Sequence, residues 1–279
     1  MKVRKNFLPR SFSDWISFMF IALVIPLFYW FEMFVVVVEF YPDWSFWYCS
    51  HFAFGTFIMV NTVGNLLATM FVDTSIFGAH LETLKNHAYA FCNSCQLPIP
   101  PRCWHCDICN RCILKRDHHC TFAGYCIGQL NHRYFMMFLT SLFVACCYAL
   151  YLNAFYILPR VDLNIFTLFQ IVTPILLVLL DGLNALKYIL MMLLVLNVVG
   201  LGITGTLSYF HWKLVFKGAV SFEHNRDIRR YNFGWRNNLV CVFGTRWYLT
   251  WISPFVESTV VFNGADWDLH RVLTKTKVI

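Results

Sequence analysis

Residues 92–135 read CNSCQLPIPPRCWHCDICNRCILKRDHHCTFAGYCIGQLNHRYF and are the most informative part of the sequence. They hold eight of the chain's 12 cysteines and four of its 10 histidines. Such density predicts bound zinc. Three pairs of cysteines have the two-residue gap that lets both sulfurs of a tight turn reach one metal ion: Cys92/Cys95, Cys106/Cys109 and Cys109/Cys112.

The number of candidate ligands exceeds what two structural zinc ions need, since each takes four. Besides the cysteines, the stretch contains His105, His118, His119 and His132. Spacing alone does not distinguish Cys103 from His105 as a ligand, nor His118 from His119. At least one cysteine can therefore remain outside the metal sites.

Cys120 is the natural candidate for that unligated thiol, because it directly follows an aspartate and two histidines. A cysteine thiol is mostly protonated at neutral pH, since its pKa is about 8.5. An adjacent imidazole can accept the proton, and a carboxylate on the other ring nitrogen fixes the tautomer. Asp117, His118 and Cys120 contain these three groups. A purely structural cysteine–histidine cluster is the alternative that spacing leaves open.

The order of these motifs resembles the cysteine-rich domain of the DHHC family of protein S-acyltransferases. The matching order is Cys-x2-Cys, Pro-x-Arg, His-Cys-x2-Cys-x2-Cys, Asp-His-His-Cys, Cys-Ile-Gly and Asn-x3-Phe. The resemblance implies two Cys3His zinc sites with interleaved ligands. One site would be formed by Cys92, Cys95, His105 and Cys112, and the other by Cys106, Cys109, His119 and Cys126.

The same resemblance implies roles for the residues that remain. Cys120 would be the acyl-accepting nucleophile, His118 its base and Asp117 the orienting carboxylate, while Cys103 would stay unligated. The co-substrate would be a long-chain acyl-CoA such as palmitoyl-CoA. The chain departs from the family pattern where Thr121-Phe122 stand in place of Pro-Trp and Tyr125 in place of Asn. These departures alter the packing beside the nucleophile and spare every ligand and catalytic group.

The composition indicates a membrane protein. Of 279 residues, 58% are hydrophobic and only 13% are charged, and the mean hydropathy is +0.56. These values exclude an ordinary soluble domain. Cysteines clustered with histidines favour reduced, metal-bound thiols facing the cytosol over a disulfide scaffold. The net charge of +7 contains no basic run of the kind that binds nucleic acid.

Four apolar stretches are long enough to cross a bilayer core of about 30 Å, and a fifth is ambiguous because it is shorter and interrupted by Thr173-Pro174. The ambiguous stretch is Ile165–Leu180. The N-terminus, the zinc block and the segment after Lys213 are rich in Lys and Arg, whereas the short loop at residues 39–45 has none, so the positive-inside rule places all three basic regions in the cytosol. This favours an α-helical polytopic membrane protein with four transmembrane helices and a small cytosolic, zinc-stabilised cysteine-rich domain between spans two and three. The four spans are Trp15–Val38, Phe46–Val72, Tyr134–Leu158 and Tyr188–Phe210.

The predicted organisation has four parts. They are residues 1–72, with the cytosolic N-terminus and two helices; 73–133, the zinc domain; 134–212, two helices with a luminal loop; and 213–279, a cytosolic tail. The zinc domain is basic, which favours contact with coenzyme A phosphates or anionic headgroups. A solvated, positive-inside face is the alternative. The basic residues are Arg102, Arg111, Lys115, Arg116 and Arg133.

The tail carries further family features. Residues 220–223, VSFE, partly match the Thr-Thr-x-Glu of DHHC enzymes and keep the hydroxyl of Ser221 and the acid of Glu223. Asn238 is similar to the structural anchor of the family's C-terminal motif. Lys275 and Lys277 resemble a dilysine retrieval signal, which implies an endoplasmic reticulum or Golgi membrane.

We therefore predict a protein S-acyltransferase (palmitoyltransferase). It would transfer a long-chain acyl group from acyl-CoA, through an acyl-Cys120 intermediate, to cysteines of membrane-associated proteins, with membrane lipids around its helices. The alternative is a catalytically weak zinc-binding membrane adaptor or pseudoenzyme, which Thr121-Phe122 keeps open.

Overall fold

The computed structural model describes residues 3–41, 44–78, 90–161 and 184–267. In this part of the chain, four helices are long and apolar enough to cross a membrane, which confirms the four predicted spans. The ambiguous stretch Ile165–Leu180 and the dilysine motif lie outside the described residues. The four helices are α1 (Phe12–Phe40, with a π-helical turn at Glu32–Val36), α2 (Phe46–Phe71), α3 (His132–Ile157) and α4 (Ala185–Lys217).

Helix α1 begins at Phe12, three residues before the predicted start, because a capping box precedes it. The backbone N–H of Asp14 donates to Ser11 Oγ (3.1 Å), and the backbone N–H of Ser11 donates to the Asp14 carboxylate (3.3 Å). Such reciprocal bonds satisfy donors that a helix start leaves unpaired. Hydropathy alone locates the apolar run and not this polar cap.

Helix α4 continues to Lys217, seven residues beyond the predicted end of the span at Phe210. It ends where Gly218 adopts a left-handed conformation (φ +64°). The N–H of Gly218 donates to the Val215 carbonyl and that of Ala219 to the Leu214 carbonyl, both at 3.0 Å. This Schellman arrangement stops the helix. A Cβ at position 218 would also lie 2.4 Å from the Tyr231 carbonyl oxygen.

The described chain forms two compact units. Among the described residues, the first contains the start of α1, the part of the chain between Asn61 and Phe138, and the part from Tyr209 onward, so it includes the cysteine-rich region. The second consists of Leu23–Val60 and Leu139–Ser208, which are the middle parts of the helices. Its buried core includes Met33, Val36, Leu152, Ile157 and Tyr188.

Six short strands form three antiparallel hairpins in the first unit. Two-stranded hairpins of this length are at best marginally stable alone, so they depend on further contacts. The pairs are β1 (Ala90–Cys92) with β2 (Leu97–Ile99), β3 (Trp104–Cys106) with β4 (Arg111–Ile113), and β5 (His118–Cys120) with β6 (Tyr125–Ile127).

The three hairpins repeat one pattern every 14 residues, a regularity that the sequence interpretation missed. Each has a four-residue loop whose last residue is left-handed: Gln96 (φ +52°), Asn110 (φ +48°) and Gly124 (φ +55°). The first strand of each hairpin ends in a cysteine and the second in an isoleucine. The cysteines are Cys92, Cys106 and Cys120, and the isoleucines are Ile99, Ile113 and Ile127.

The junction between β6 and α3 is fixed by Gly128 and Asn131. A Cβ at position 128 would lie 2.6 Å from the Leu114 carbonyl oxygen, so only glycine fits there. The N–H of Gly128 donates to Asn131 Oδ1 (2.8 Å), and Asn131 Nδ2 donates to the carbonyl oxygens of Thr69 (3.1 Å) and Cys126 (3.0 Å). The third hairpin is thereby tied to the end of α2 and the start of α3.

After α4, two short helices complete the first unit: α5 (Ser221–Asn225) and α6 (Trp235–Phe243). Asn238 in α6 is buried and donates through Nδ2 to the Phe216 carbonyl oxygen (2.8 Å) near the end of α4. Its Oδ1 accepts the Phe233 N–H (3.0 Å). These contacts agree with an anchoring role for Asn238.

Candidate active site and metal centres

The structure brings the first predicted ligand set together as one cluster, which we call cluster one. The ligand atoms of Cys92, Cys95, His105 and Cys112 all lie within 4.8 Å of one another. His105 Nδ1 is 3.7, 3.2 and 3.9 Å from the three sulfurs in that order.

Cluster two has the same composition and geometry. The ligand atoms of Cys106, Cys109, His119 and Cys126 lie within 4.8 Å of one another. His119 Nδ1 is 3.7, 3.3 and 3.8 Å from the three sulfurs in that order. The sulfurs of Cys109 and Cys126 are 3.7 Å apart.

Both clusters fit a tetrahedral zinc ion. Zinc–sulfur bonds of 2.3 Å and zinc–nitrogen bonds of 2.0–2.1 Å place neighbouring ligand atoms about 3.6–3.8 Å apart. The ligand distances involving His105 and His119 span 3.2–3.9 Å. Each cluster offers four protein ligands and no open position, which is the pattern of a structural site.

The register of the hairpins explains why the two ligand sets interleave. His105 and Cys112 face each other across β3 and β4, so their side chains share one face. Cys106 follows His105 on the strand and points the other way. It forms the next turn with Cys109. One hairpin thus contributes a strand pair to cluster one and a turn pair to cluster two.

The same alternation leaves Cys120 outside both clusters. On β5, His119 pairs with Cys126 and points to cluster two, so His118 and Cys120 share the opposite face. Cys120 occupies the place that Cys92 and Cys106 hold in the earlier hairpins. The third hairpin has no second turn cysteine, because Ala123 stands at that position.

Cys103 is the other cysteine of the domain that joins neither cluster. It is buried, and burial, together with the charges of Cys92 and Cys95, raises the pKa of its thiol to about 12. The geometry distinguishes Cys103 from His105, which the spacing could not do, because His105 Nδ1 lies among the sulfurs of cluster one and Cys103 is in neither cluster.

His118 lies between a carboxylate and the unligated thiol. Its Nδ1–H donates to Asp117 Oδ2 (2.7 Å), and its other side-chain partner is Cys120. Burial lowers the pKa of His118, but the hydrogen bonds to Asp117 and Cys120 outweigh it and raise the pKa to about 9. Burial likewise opposes ionisation of Asp117, and the hydrogen bond from His118 still holds its pKa below the usual range.

Asp117 receives further contacts from residues beyond the tetrapeptide. Its Oδ1 accepts the backbone N–H (2.7 Å) and the hydroxyl (2.9 Å) of Ser221 at the start of α5. His211 Nδ1, in the last turns of α4, is 3.6 Å from Oδ2. The His211 ring lies 5.3 Å from that of His118. The sequence interpretation missed His211, although an ionisable residue at the end of an apolar helix is a signal of function.

Glu223, the second residue retained from the family's tail motif, pairs with Arg102 in the zinc domain. Arg102 Nε and Nη2 each lie 2.7 Å from one oxygen of the carboxylate, a bidentate geometry. The guanidinium lies 4.3 Å from the ring centroids of both Tyr231 and Trp267. It also donates to the Gly218 carbonyl oxygen (3.0 Å).

The sequence predicted that five basic residues of the zinc domain form a face that contacts coenzyme A phosphates or anionic headgroups. This prediction is wrong for three of them, because they do not lie on the surface. Arg102, Lys115 and Arg133 are buried. Burial, followed by the charge of Arg102, lowers the pKa of Lys115 to about 8. Charged side chains in the interior serve local pairs and packing, and sequence charge alone does not separate them from exposed ones.

The departures from the family pattern lie in the third hairpin. Thr121 and Phe122 are in its four-residue loop, where the Gly124 N–H donates to the Thr121 carbonyl oxygen (3.2 Å). Tyr125 begins β6 and is fully buried, and its hydroxyl donates to Asp73 Oδ1 (3.0 Å). The changes therefore leave both clusters and the Asp117–His118 pair intact.

Comparison with known proteins agrees with this geometry. The sequence model of the family described as DHHC palmitoyltransferase matches residues 85–228, just over half of the chain. The chain is 31% identical over 215 residues to "Probable palmitoyltransferase ZDHHC24" of Mus musculus and 30% identical over 218 residues to that of Homo sapiens. Both matches cover 76% of each protein. It is also 34% identical over 160 residues to "Protein S-acyltransferase 8" of Arabidopsis thaliana, covering 55% of this chain and 36% of that protein.

Proposed function

Because the chain belongs to the DHHC palmitoyltransferase family, we propose that it is a protein S-acyltransferase with Cys120 as its nucleophile. The observation that supports this assignment is the position of Cys120 outside both clusters and beside His118, whose other ring nitrogen is held by Asp117. A cysteine needs such a neighbouring base to form the thiolate, which is the attacking species.

In the first half-reaction, the Cys120 thiol transfers its proton to His118 Nε2, and the raised pKa of His118 favours the resulting thiolate–imidazolium pair at neutral pH. The thiolate attacks the carbonyl carbon of the acyl-CoA thioester. The carbon–sulfur bond to coenzyme A breaks, and its thiolate leaves and takes up the proton from the imidazolium. Asp117 keeps the His118 Nδ1 protonated, so that Nε2 is the nitrogen with a lone pair toward the thiol.

In the second half-reaction, the thiol of an acceptor cysteine gives its proton to His118 and attacks the acyl-Cys120 thioester. The acyl group moves to the acceptor, and Cys120 recovers its proton. Each step exchanges one thioester for another, so the bond energies nearly balance. The protein's contribution is to activate, position and shield the reacting thiols.

The zinc ions, when bound, supply structure to this domain. Cys92, Cys95, His105 and Cys112 would hold one ion, and Cys106, Cys109, His119 and Cys126 the other. His119 and Cys120 are neighbours on β5, so holding His119 in cluster two also holds the nucleophile in place.

The protein is an integral membrane protein, and we propose that the zinc domain, both termini and the active site face the cytosol. Acceptors would be cysteines of membrane-associated proteins, and the acyl chain would be taken from the lipid side. The dilysine pattern of Lys275 and Lys277 supports an endoplasmic reticulum or Golgi membrane. Replacing both lysines by serine and following the tagged protein by microscopy tests this location, since an unchanged distribution contradicts the signal.

The catalytic proposal is tested by incubating purified protein with radiolabelled palmitoyl-CoA. The wild type is expected to acquire label that hydroxylamine releases, as a thioester does. Cys120→Ser is expected to acquire none, because an alcohol beside the same base is a far weaker nucleophile than a thiolate.

Cys103→Ser is the matched control, since Cys103 is buried in the same domain and belongs to neither cluster. It is expected to label like the wild type, with unchanged zinc content in both variants. Equal labelling of wild type and Cys120→Ser would end the mechanism. A cellular function retained in Cys120→Ser would favour the adaptor alternative.

A further inference from the structure

The segment before α1 lies against the hairpins that form cluster two. The Arg4 guanidinium is 3.7 Å from the centroid of the Tyr125 ring, next to the ligand Cys126. Arg10 Nη1 donates to the carbonyl oxygen of the ligand Cys109 (2.6 Å). Residues 3–14 are therefore part of the metal-binding unit, although the sequence interpretation treated them only as a topology signal.

Asp14 makes the most direct of these contacts. Its side chain is fully buried, and its two carboxylate oxygens lie 3.2 and 3.3 Å from His119 Nε2. His119 Nδ1 is the nitrogen that faces the sulfurs of cluster two. The opposite nitrogen therefore carries the hydrogen and donates it to Asp14. A carboxylate in this place orients a metal-binding histidine and makes it a better ligand.

Cluster one has no equivalent partner among the residues that the structure describes. Its histidine, His105, has Asp107 Oδ1 at 3.8 Å from Nε2, and the Asp107 side chain is fully exposed. An exposed pair at that distance contributes little, because water competes for both groups. Both clusters consist of three cysteines and one histidine. Among the described residues, they differ in that a buried carboxylate contacts the histidine of cluster two.

A simpler role for Asp14 is to cap α1. Its carboxylate accepts the Ser11 N–H, as the third residue of a capping box does. A cap alone requires neither burial nor contact with His119, and capping residues at helix starts are normally exposed. The box instead fixes the carboxylate in the orientation that meets His119 Nε2.

We propose that Asp14 is a positioning residue that holds His119, and through it the strand carrying Cys120, by completing a carboxylate–histidine–metal arrangement at cluster two. The consequence for acyl transfer rests on the function proposed above. The consequence for metal retention does not, because it concerns His119 alone.

Zinc release from the purified full-length protein to a chromogenic chelator tests this. Asp14→Asn keeps an oxygen that can accept the Ser11 N–H and removes only the charge, so the helix cap remains. It is expected to lose one of its two zinc ions about tenfold faster than the wild type, at the lower end of the 10- to 100-fold effects known for such partners. Asp14→Ala is expected to show a larger effect in the same direction.

Two controls separate this role from capping and from a general charge effect. Ser11→Ala removes the hydroxyl that caps Asp14 but leaves the carboxylate, and Asp107→Asn changes the exposed partner of His105. Both are expected to release zinc like the wild type. Wild-type release in Asp14→Asn would overturn the proposal, as would equally fast release in Ser11→Ala.

The zinc assay also separates this proposal from the catalytic one. Cys120→Ser is expected to retain both ions. If the wild type fails to form an acyl-enzyme while Asp14→Asn still loses one zinc faster, the proposed catalytic function fails and the role of Asp14 stands.

Discussion

His118 and His119 are adjacent in the sequence and have different surroundings in the structure. His119 points to the sulfurs of cluster two, whereas His118 points to Asp117 and Cys120. The reason is the twofold alternation of side chains along β5. Sequence spacing could not separate the two histidines, because it does not reveal which residues form the strand.

At the residue scale, the contact between Asp117 and His118 yields a prediction for Asp117→Asn. The amide no longer favours the ring tautomer that leaves Nε2 unprotonated, so the base loses its function. We expect the rate of acyl-enzyme formation to fall about 100- to 10,000-fold. The measurement is the time course of hydroxylamine-labile label on the purified variant.

Ser221→Ala is the graded comparison for that variant. It removes the hydroxyl bond to Asp117 but keeps the backbone N–H that donates to the same oxygen. The expected loss is roughly fivefold, the rate factor for one hydrogen bond. Wild-type labelling by Asp117→Asn with both zinc ions retained would remove Asp117 from the mechanism.

At the scale of elements, the three hairpins are copies of one unit with different surroundings. Each of the first two hairpins has two cysteines in its turn. The hairpin that follows it supplies a histidine and a cysteine from paired strands, and the four side chains form one cluster. The third has Cys120 and Ala123 in the turn and is followed by α3. No strand pair follows it among the described residues, so its cysteine faces His118 instead of a metal.

Metal removal is predicted to unfold these hairpins. Strands of three residues cannot remain paired without further support, and a structural zinc contributes about 10–16 kcal/mol in zinc-finger peptides. Treatment with 1,10-phenanthroline is expected to expose the six ligand cysteines to maleimide and to abolish acyl-enzyme formation.

Mass spectrometry of the maleimide-labelled protein identifies the cysteines that react. Chelated protein is diluted into buffer that contains zinc, and its labelling is compared with that of chelated protein diluted into zinc-free buffer. Unchanged cysteine reactivity after both ions have been removed would show that packing alone holds the domain.

At the scale of the whole molecule, contacts between distant parts of the chain assemble the active site. Arg102 and Glu223 are 121 residues apart and form a buried pair. Two residues before Glu223, Ser221 donates to Asp117. The segment after α4 therefore reaches the zinc domain at two points, and the turn at Gly218 sets its direction.

Arg102→Met is predicted to destabilise this assembly. It leaves the Glu223 carboxylate buried without its partner, which typically costs about 3–5 kcal/mol. A lower thermal unfolding temperature in detergent is the expected result. The double variant Arg102→Met/Glu223→Leu is expected to regain much of the loss, because it removes the unpaired charge as well.

The double variant provides the discriminating comparison. If Arg102→Met and the double variant unfold at the same temperature, the loss comes from the packing of Arg102 between Tyr231 and Trp267 and not from the unpaired carboxylate.

The sequence was sufficient for the parts of the protein that depend on composition and short-range spacing. Apolar runs located the four spans, because crossing a bilayer core requires a minimum length of apolar helix. The Cys-x2-Cys turns indicated zinc, because that spacing brings two sulfurs to one ion. The start of α1 and the end of α4 lie beyond the predicted apolar runs, since a capping box and a left-handed glycine set them.

Tertiary structure alone decided which charged and polar residues meet. Arg102, Lys115 and Arg133 are buried, and Asp14, His211 and Ser221 converge on the strand that carries Cys120 or on its neighbours. Such contacts depend on the direction in which distant segments leave their helices and hairpins, and this direction is set by packing. Local spacing therefore specified the metal-binding turns, whereas the surroundings of the nucleophile arose only when the chain folded.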